Sequence, residues 1–265
     1  SGFSSYKANI GEVRNRGVEI TANAFIIQDF QRGITWSLGG SLIHNQNEIL
    51  KISNSLEFLN SELRGENEDD TETDEERRLR EARASFIFEE GQSMNTIFVV
   101  RSLGIDPTTG QEIFLDRNGN RTTTWNLADK VAMGVNEPKI WGNVRSMFRW
   151  KNVMLNVVFS YRAGGYQYNQ TLVNKVENIS RAQAWGNLDR RAYYERWQNP
   201  GDQSYFKDIT DVTNPTMASS LFLIKENTFK MQSANLSYDF DTQWLKDNFK
   251  IDYLKFSLYA EDIFY

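Results

Sequence analysis

The side chains that could carry chemistry in this chain are mostly carboxylates. Its 265 residues include no cysteine and a single histidine, His44. A disulfide framework, a thiolate metal site and a zinc site with several histidines are therefore excluded. His44 lies near the end of a predicted strand, where we expect an interfacial residue rather than a catalyst. The acids are numerous, but no spacing singles out two of them for glycosidase chemistry, so we predict no catalytic residue, no metal site and no cofactor.

Two short segments combine turn residues with oxygen ligands. Asp116–Asn120 has oxygen-bearing side chains at alternate positions, as at the start of a calcium loop. Such a loop closes with Glu at its twelfth position, and here that position is Leu127. The Asn-Gly pair in the segment is typical of a hairpin turn, so we interpret the segment as a turn. The Asp-Pro-Thr-Thr-Gly sequence of 106–110 also predicts a β-turn.

The charge of the chain is concentrated in one segment. Residues 66–81 contain nine acids and three bases, which gives this window −6 in a chain of net charge −5. Thr73 followed by Glu76 has the pattern of a capping box and predicts the start of a short helix. We interpret the segment as a solvated loop helix, with a site for a cation or a basic partner as the alternative. The remainder is nearly neutral, so we expect no nucleic-acid partner.

Strands, rather than helices, must position these residues. Phe, Tyr and Trp make up 13% of the chain, and only four residues are Pro. That balance favours a β-rich fold. The sequence contains no apolar run of about 18 residues, so no transmembrane helix is predicted. It begins Ser1-Gly2-Phe3, without an initiator Met or a signal segment, and we expect a processed or partial product.

The clearest pattern is a hairpin over residues 139–168. In its first arm Ile140, Val144 and Phe148 share an apolar face opposed by polar residues, and the second arm alternates in the same way. Period two on both sides of Lys151-Asn152 predicts a tight hairpin, with the Asn tolerating the positive φ of the turn. Each arm is about 11 residues long, which is the length that crosses a bilayer when the strand is tilted.

Aromatic side chains lie at both ends of this hairpin. Trp150 is next to the tight turn, and Tyr161, Tyr166 and Tyr168 lie toward the far end. Membrane barrels carry aromatic girdles at both interfaces, and we interpret these four residues as girdle residues. The alternative is that aromatic residues simply favour strands.

Other strands follow the same pattern. Alternation predicts strands at 17–28, 34–47, 234–240 and 254–259, with weaker patterns at 96–103, 111–116 and 221–231. The total is about eight to ten strands, so the predicted fold class is all-β and antiparallel. Two long connections, 48–95 and 169–218, alternate with tight turns. That alternation is typical of transmembrane β-barrels, whose long loops are extracellular.

Five sequence motifs follow one another along the chain. Residues 9–20 are N-I-G-E-V-R-N-R-G-V-E-I, and 104–110 are G-I-D-P-T-T-G, followed by D-R-N-G at 116–119. The hairpin of 138–169 ends G-G-Y-Q-Y-N, 196–202 are R-W-Q-N-P-G-D, and 229–240 end L-S-Y-D-F. In this order they resemble the SusC/RagA-type TonB-dependent outer-membrane transporters over nearly the whole chain. The family-motif positions are Asn15, Arg16, Gly17, Glu19, Asp106, Pro107, Gly110, Trp197, Pro200, Gly201 and Asp202.

The resemblance implies part of a larger barrel. Residues 1–265 are similar to the later part of a transmembrane β-barrel of about 22 strands. The family's late N-L-F motif is D-I-F at 262–264, and the chain shows no plug domain or TonB box. A barrel fragment has open strand edges, which lipid does not tolerate. We therefore expect a longer parent, or strands supplied by another chain.

The resemblance also implies a function and partners. It implies TonB-dependent uptake of glycans or peptides across the outer membrane of a Gram-negative bacterium. A SusD-like surface lipoprotein would cap the barrel, TonB would act through the missing amino-terminal part, and membrane lipid would cover the apolar face. We expect the loops 48–95 and 169–218 to contact substrate or lid. The lumen-facing candidates, taken from the polar faces of the strands, are Glu19, Arg145, Arg149, Asn156 and Arg162.

Two other functions stay open on the residues alone. The first is a soluble all-β module that binds glycans by stacking exposed Trp and Tyr on sugars; the length of the strands and their apolar faces disfavour it. The second is a passive outer-membrane porin or adhesin barrel, which a plug and a TonB box in the parent gene would exclude. An enzyme is the weakest interpretation because no specific site is present.

Overall fold

The chain folds as two units. The computed structural model describes residues 11–64, 73–81, 83–179, 186–211, 216–240 and 242–264. The strand unit comprises Asn15–Gln46, Pro138–Gly165 and Glu226–Tyr265. The insertion unit comprises Ser1–Arg14, Asn47–Glu137 and Tyr166–Lys225. Two of its segments are therefore inserted between strands of the strand unit.

Strands dominate the described residues, and the predicted all-β class is confirmed. In chain order they are β1 (Gly11–Asp29), β2 (Ile34–Ile52), β3 (Ser85–Phe86), β4 (Thr96–Ile105), β5 (Glu112–Leu115), β6 (Arg121–Thr122), β7 (Lys130–Val135), β8 (Ile140–Trp150), β9 (Val153–Tyr168), β10 (Leu223–Asp239) and β11 (Lys255–Phe264). The helices are α1 (Asn54–Leu63), α2 (Asp74–Glu81), α3 (Gln170–Leu172), α4 (Arg191–Tyr194) and α5 (Thr242–Phe249).

Six long strands form one sheet in the order β1-β2-β8-β9-β10-β11. The pairs β2–β8, β8–β9 and β10–β11 are antiparallel. Each strand has 10 to 19 residues, whereas ordinary globular strands have about five or six. The predicted hairpin is β8–β9, and its pairing starts at Trp150 and Val153, as the alternation indicated.

Short connections gather at one end of this sheet. The Lys151 N–H donates to the Gly33 carbonyl at 2.7 Å, and the Asp239 N–H donates to the Asn152 carbonyl at 2.9 Å. The β1–β2 turn, the β8–β9 turn and the end of β10 therefore meet there. The long segments between β2 and β8 and between β9 and β10 depart from the opposite strand ends.

The tight turn corrects one sequence prediction. Its positive φ belongs to Lys151, at 50°, and not to Asn152. The Lys151 Nζ lies 5.9 Å from the centre of the Trp150 ring. This contact and the hydrogen bond to Gly33 are both made by Lys151 in the left-handed conformation, which Asn adopts more readily than Lys.

The insertion unit has its own small sheet. Its strand order is β3-β4-β5-β6, and β7 pairs with β4. The strands predicted at 96–103 and 111–116 are confirmed as β4 and β5, but they belong to this sheet and not to the long one. Two apolar clusters form the core. One contains Leu172, Val173, Val176, Ile179, Ala192, Phe206 and Phe222, and the other contains Ile97, Val99 and Ala218.

The predicted capping box is present at the start of α2. The Thr73 Oγ1 accepts the Glu76 N–H at 3.3 Å, and the Glu76 carboxylate accepts the Thr73 N–H at 3.0 Å. Residues 65–72 of the acidic run lie outside the described residues. Among the helices of the described ranges, none has the length and apolar character needed to cross a membrane.

Candidate functional site

Four of the five lumen-facing candidates share one face of the long sheet. In an antiparallel pair, directly opposed residues point to the same side. On β8 the odd-numbered residues form one face, and Met147 and Trp141 among them pair with Asn156 and Arg162 of β9. This polar face therefore carries Arg145, Arg149, Asn156 and Arg162.

Glu19 joins the same face through β1. Gly39 of β2 pairs with Arg145, and a Cβ on Gly39 would lie 2.2 Å from the Asn23 Oδ1. The Asn23 side chain is thus on the polar face. Glu19 precedes it by four residues on the same strand and so points the same way. The sequence pattern therefore selected five residues that the register brings to one side.

Carboxylates from β10 pair with the arginines of this face. The Arg162 Nη1 lies 3.4 Å from the Glu226 carboxylate, and the Arg149 Nη2 lies 3.6 Å from the Asp239 carboxylate. Both arginines are about half exposed, so water also reaches them. The alternation of β10 could have identified Asp239, which continues the row Asn235, Ser237. Glu226 lies before the alternating part of β10, and nothing in its local sequence marked it.

Three buried polar atoms of the strand unit have no hydrogen-bond partner within the described part of the chain. They are the Asn156 Oδ1, the Asn235 Oδ1 and the Ser237 Oγ. Buried polar atoms are nearly always hydrogen-bonded, to protein or to water. A polar environment, rather than an apolar one, is therefore required on this side of the sheet.

The opposite face is apolar along the length of the strands. On β8 and β9 it carries Val144 and Phe148, paired with Phe159 and Leu155. The Phe159 ring stacks on Phe229 at 5.3 Å. These side chains remain exposed although they are apolar; Val144, for example, is 42% exposed.

The predicted aromatic girdle is wrong at two of its four positions. The Tyr168 ring packs edge-on to Phe222, with centroids 6.5 Å apart, beside a core cluster of the insertion unit. Tyr166 packs on Gly134, where a Cβ would lie 2.5 Å from its ring. Long-range packing in the insertion unit, which alternation does not encode, determines both positions. Trp150 and Tyr161 lie on the apolar face.

The β1 motif owes its glycine to a close strand approach. A Cβ on Gly17 would lie 2.6 Å from the His44 carbonyl oxygen. Asn15 and Arg16, beside it, are exposed. His44 also meets Lys139, with 2.6 Å between its Nδ1 and the Lys139 carbonyl oxygen. His44 therefore helps to fix the approach of β1 and the segment before β8 to β2.

Two motifs about 90 residues apart meet in the insertion unit. The Trp197 Nε1 donates to the Pro107 carbonyl at 2.8 Å, and the Gly201 N–H donates to the same oxygen at 2.7 Å. The Trp197 indole covers Gly110, where a Cβ would lie 2.6 Å from two ring carbons. The sequence singled out these positions by resemblance, but it did not show that they touch.

Each motif also holds its own turn. The Asp106 carboxylate accepts the Thr108 N–H at 2.9 Å and the Thr109 hydroxyl at 3.0 Å, which lowers the pKa of Asp106. The Asp202 carboxylate accepts the Asn199 N–H at 2.8 Å, and Gly201 takes a φ of 104° after Pro200.

The 116–120 segment is a turn, as predicted. The Asp116 carboxylate accepts both the backbone N–H and the side-chain amide of Asn120, at 2.8 and 2.9 Å. Its oxygens are thus occupied by hydrogen bonds within the turn. Among the residues with described positions, no group of three His, Asp or Glu side chains could hold a metal ion.

Arg196, the first residue of the 196–202 motif, is buried. Its guanidinium donates to the carbonyls of Ala192, Val176, Glu177 and Lys207 at 2.5 to 2.9 Å. Its Nη1 also lies 3.8 Å from the Glu177 carboxylate, and both side chains are 1% exposed. One planar cation therefore ties α4, the turn at Val173–Glu177 and the segment 206–208 together.

A second carboxylate lies near this pair. The Glu112 carboxylate accepts the Ser219 hydroxyl at 2.5 Å. Burial raises the pKa of Glu112 to about 7; the hydroxyls of Ser102 and Ser219 oppose this shift, and the negative charge of Glu177 adds to it. Sequence analysis missed both acids, because nothing in their local sequence indicates burial.

A pocket beside α1 is lined mostly by polar side chains. Its volume is about 470 Å³. In its wall, the Arg64 Nη2 lies 2.7 Å from the Glu89 carboxylate. The Asn60 side chain, also in the lining, donates to the Phe88 carbonyl and accepts the Phe88 N–H. The remaining lining residues are Ile52, Glu57, Ser61 and Glu90.

Comparisons with known proteins agree with this geometry. No protein-family model matches the chain. TonB-dependent receptor P3 of Formosa agariphila is 27% identical over 190 residues, which cover 65% of this chain and 17% of that protein. The chain is thus similar to part of a TonB-dependent receptor. TonB-dependent receptor P39 of the same organism is 20% identical, over 92% of this chain and 26% of that receptor.

Solved structures have a similar fold. A structure of the RagAB peptide transporter matches with a TM-score of 0.74 and 18% identity, over 99% of this chain and 27% of that one. The RagAB peptide importer in its open-open state matches with a TM-score of 0.73 and 15% identity. The resemblance to the SusC/RagA type of TonB-dependent receptor is thus confirmed. The chain spans roughly a quarter or less of the length of each of these relatives.

Proposed function

We propose that residues 1–265 form part of the β-barrel of a TonB-dependent transporter that takes up glycans or peptides across the outer membrane of a Gram-negative bacterium. The observation that carries this proposal is the division of one long-stranded sheet into two faces. Val144 and Arg145 are neighbours in sequence, yet one belongs to an exposed apolar face and the other to a charged face. Lipid on one side and a watery lumen on the other would suit these faces.

The lumen assignment of the five polar-face residues rests on the same division. Arg149 and Arg162 are half exposed and paired with acids, and three nearby polar atoms require a polar environment. A water-filled lumen supplies that environment, whereas lipid would leave these groups unsolvated at a high cost.

The insertion unit supplies the extracellular part in this proposal. Its segments leave the strands opposite the short turns, which is where barrels carry their extracellular loops. Residues 48–95 and 169–218, which lie largely in this unit, are then in position to contact substrate and a SusD-like lipoprotein. RagAB carries peptides, which favours a peptide over a glycan without deciding between them. TonB would act through the part of the protein outside this chain.

Single-cysteine labelling tests the face assignment with matched neighbours. The chain has no cysteine, so Arg145→Cys and Val144→Cys in the full-length protein, with any other cysteine replaced by serine, can be compared in outer-membrane vesicles. A charged, water-soluble maleimide should label position 145 and leave position 144 unlabelled. Equal labelling of both, or recovery of the protein in the soluble fraction, would favour the soluble β module and contradict the proposal.

An uptake assay separates active transport from a passive pore. Cells that depend on this protein should take up peptide or glycan only while the inner-membrane proton gradient and TonB are intact. Supplying defined peptides and defined oligosaccharides in separate cultures identifies the substrate class. Uptake that persists after deletion of tonB would indicate a passive porin and contradict the transporter proposal.

A further inference from the structure

The connector between β10 and β11 differs from the other short connections of the sheet. The β1–β2 and β8–β9 turns have a few residues, but this connector holds α5 and a following segment, 250–254. The Phe240 N–H donates to the Leu254 carbonyl at 3.0 Å and closes the connector, and the Phe240 ring lies 4.9 Å from the Tyr238 ring on the apolar face. Phe240 and Leu254 continue the apolar rows of Leu236 and Tyr238 on β10 and of Phe256 and Leu258 on β11.

α5 exposes an aromatic side. The helix places Trp244, Leu245 and Phe249 on one side, and the rings of Trp244 and Phe249 lie 5.4 Å apart. Leu245 is buried, but Trp244 is 56% and Phe249 is 59% exposed. An exposed aromatic pair on a short amphipathic helix indicates a surface that normally has a neighbour.

The polar side of α5 carries charged side chains of both signs. The Lys246 Nζ lies 3.3 Å from the Asp252 carboxylate, and the Asp247 carboxylate accepts a hydrogen bond from Gln243 at 3.1 Å. Lys250 follows the helix with a φ of 61° and ends it. Trp with flanking Lys is the combination that settles at the headgroup level, where rings bury their apolar bodies and ammonium groups reach phosphates.

We propose that α5 lies in the headgroup layer of the periplasmic leaflet and anchors the β10–β11 end of the sheet to phospholipid. This rests on the proposed function, because the apolar face must first be the lipid face. Its occupant is the same bilayer, since the connector that contains α5 leaves the apolar face at Phe240 and returns to it at Leu254. Burial of Trp244 and Phe249 among headgroups and upper acyl chains would cover the surface that the chain leaves exposed.

Depth-dependent quenching tests the anchor in the full-length protein, with any cysteine outside this chain replaced by serine. An environment-sensitive fluorophore is attached to Trp244→Cys, or to Asp247→Cys on the polar side as the matched control. The protein is placed in nanodiscs of phosphatidylethanolamine and phosphatidylglycerol, with nitroxide lipids labelled high or deep on the acyl chain. We expect the shallow nitroxide to quench position 244 about two-fold or more, the deep one to quench it less, and neither to quench position 247.

A reporter on β9 keeps the two proposals apart. Leu155→Cys lies on the apolar face, near the same end of the sheet, and should be quenched by both nitroxides. Quenching at 155 together with none at 244 would overturn the anchor and leave the transporter proposal intact. Absence of quenching at 155 would contradict the transmembrane assignment itself. A Phe249→Cys reporter repeats the α5 measurement if Trp244→Cys reduces the yield of folded protein.

Discussion

The Trp197 indole lies directly over Gly110, so close that any side chain at position 110 would overlap two of its ring carbons. Two hydrogen bonds to the Pro107 carbonyl, from the Trp197 indole and from the Gly201 N–H, hold the ring and its loop in that position. Two motifs that are far apart in sequence therefore depend on each other. The glycine is required for contact as well as for its φ of 71°.

Gly110→Ala should loosen this contact. A positive φ costs a non-glycine residue about 1 kcal/mol, and the overlap with Trp197 adds about 1–3 kcal/mol. Gly91→Ala is the matched control, because Gly91 has a φ of 82° and a Cβ there would meet no atom within 4 Å. Hydrogen–deuterium exchange of peptides covering 106–110 and 196–202 should speed up in the first variant and change little in the second. Equal effects would mean that the overlap contributes nothing.

Arg196→Ala should lower the stability of the insertion unit far more than a substitution on a loop usually does. It would remove the donor to four carbonyls and the guanidinium that lies beside the buried Glu177 carboxylate, a loss of about 3–5 kcal/mol. Arg191→Ala is the control: its pair with Asp189 at 2.7 Å is partly exposed and worth about 1 kcal/mol or less. The fraction of full-length protein resistant to brief protease treatment measures the difference. Similar resistance of both variants would contradict the central role of Arg196.

The extent to which the sequence predicts this structure differs between the two units. Alternation was enough to place Arg145 and Val144 on opposite faces, because a strand has a fixed period of two and the pairing is local. It could not place β4 in a separate sheet, since a strand's pattern does not name its partner. Nor could alternation predict the ion pair between Glu177 and Arg196, because that contact depends on how two separate segments of the chain pack together.

The candidate site follows the same division. The five polar-face residues were selected by periodicity, and the register brings all five to one side. The two motifs that contain Gly110 and Trp197 could be recognised in the sequence, but the contact between these two residues could not be predicted. Glu112 could not be anticipated, because its raised pKa arises from burial in the folded insertion unit and not from its neighbours in sequence.

The stability of the insertion unit should fall as pH rises from 5 to 8. The pKa of Glu112 is raised from 4.5 to about 7, so the folded state holds its proton more tightly than the unfolded state does. The contribution is fully present below pH 4.5, is lost as pH rises through 7, and amounts to about 3 kcal/mol at most. Exchange protection of β4 and β5, corrected for intrinsic rates, should therefore be lower at pH 8. Glu112→Gln should remove most of this dependence, and an unchanged profile in that variant would refute the assignment to Glu112.

Arginine substitutions at two neighbouring positions of β8 test the two faces energetically. Phe148 lies on the apolar face and Met147 on the polar face, although both are apolar residues with comparable exposure, 37% and 40%. In a barrel wall, Phe148→Arg would put a charge against lipid two residues from Trp150, at a cost of about 1–2 kcal/mol, which lies between the cost near an interface and the cost of about 2–4 kcal/mol at the middle of the bilayer. Met147→Arg would add an arginine between Arg145 and Arg149 on the polar face and should be tolerated. The measurement is the amount of heat-modifiable protein in the outer-membrane fraction, which should fall sharply for the first variant and stay near the wild-type amount for the second. The reverse order would place the lumen on the other side of the sheet, and equal amounts would argue against a lipid-facing wall.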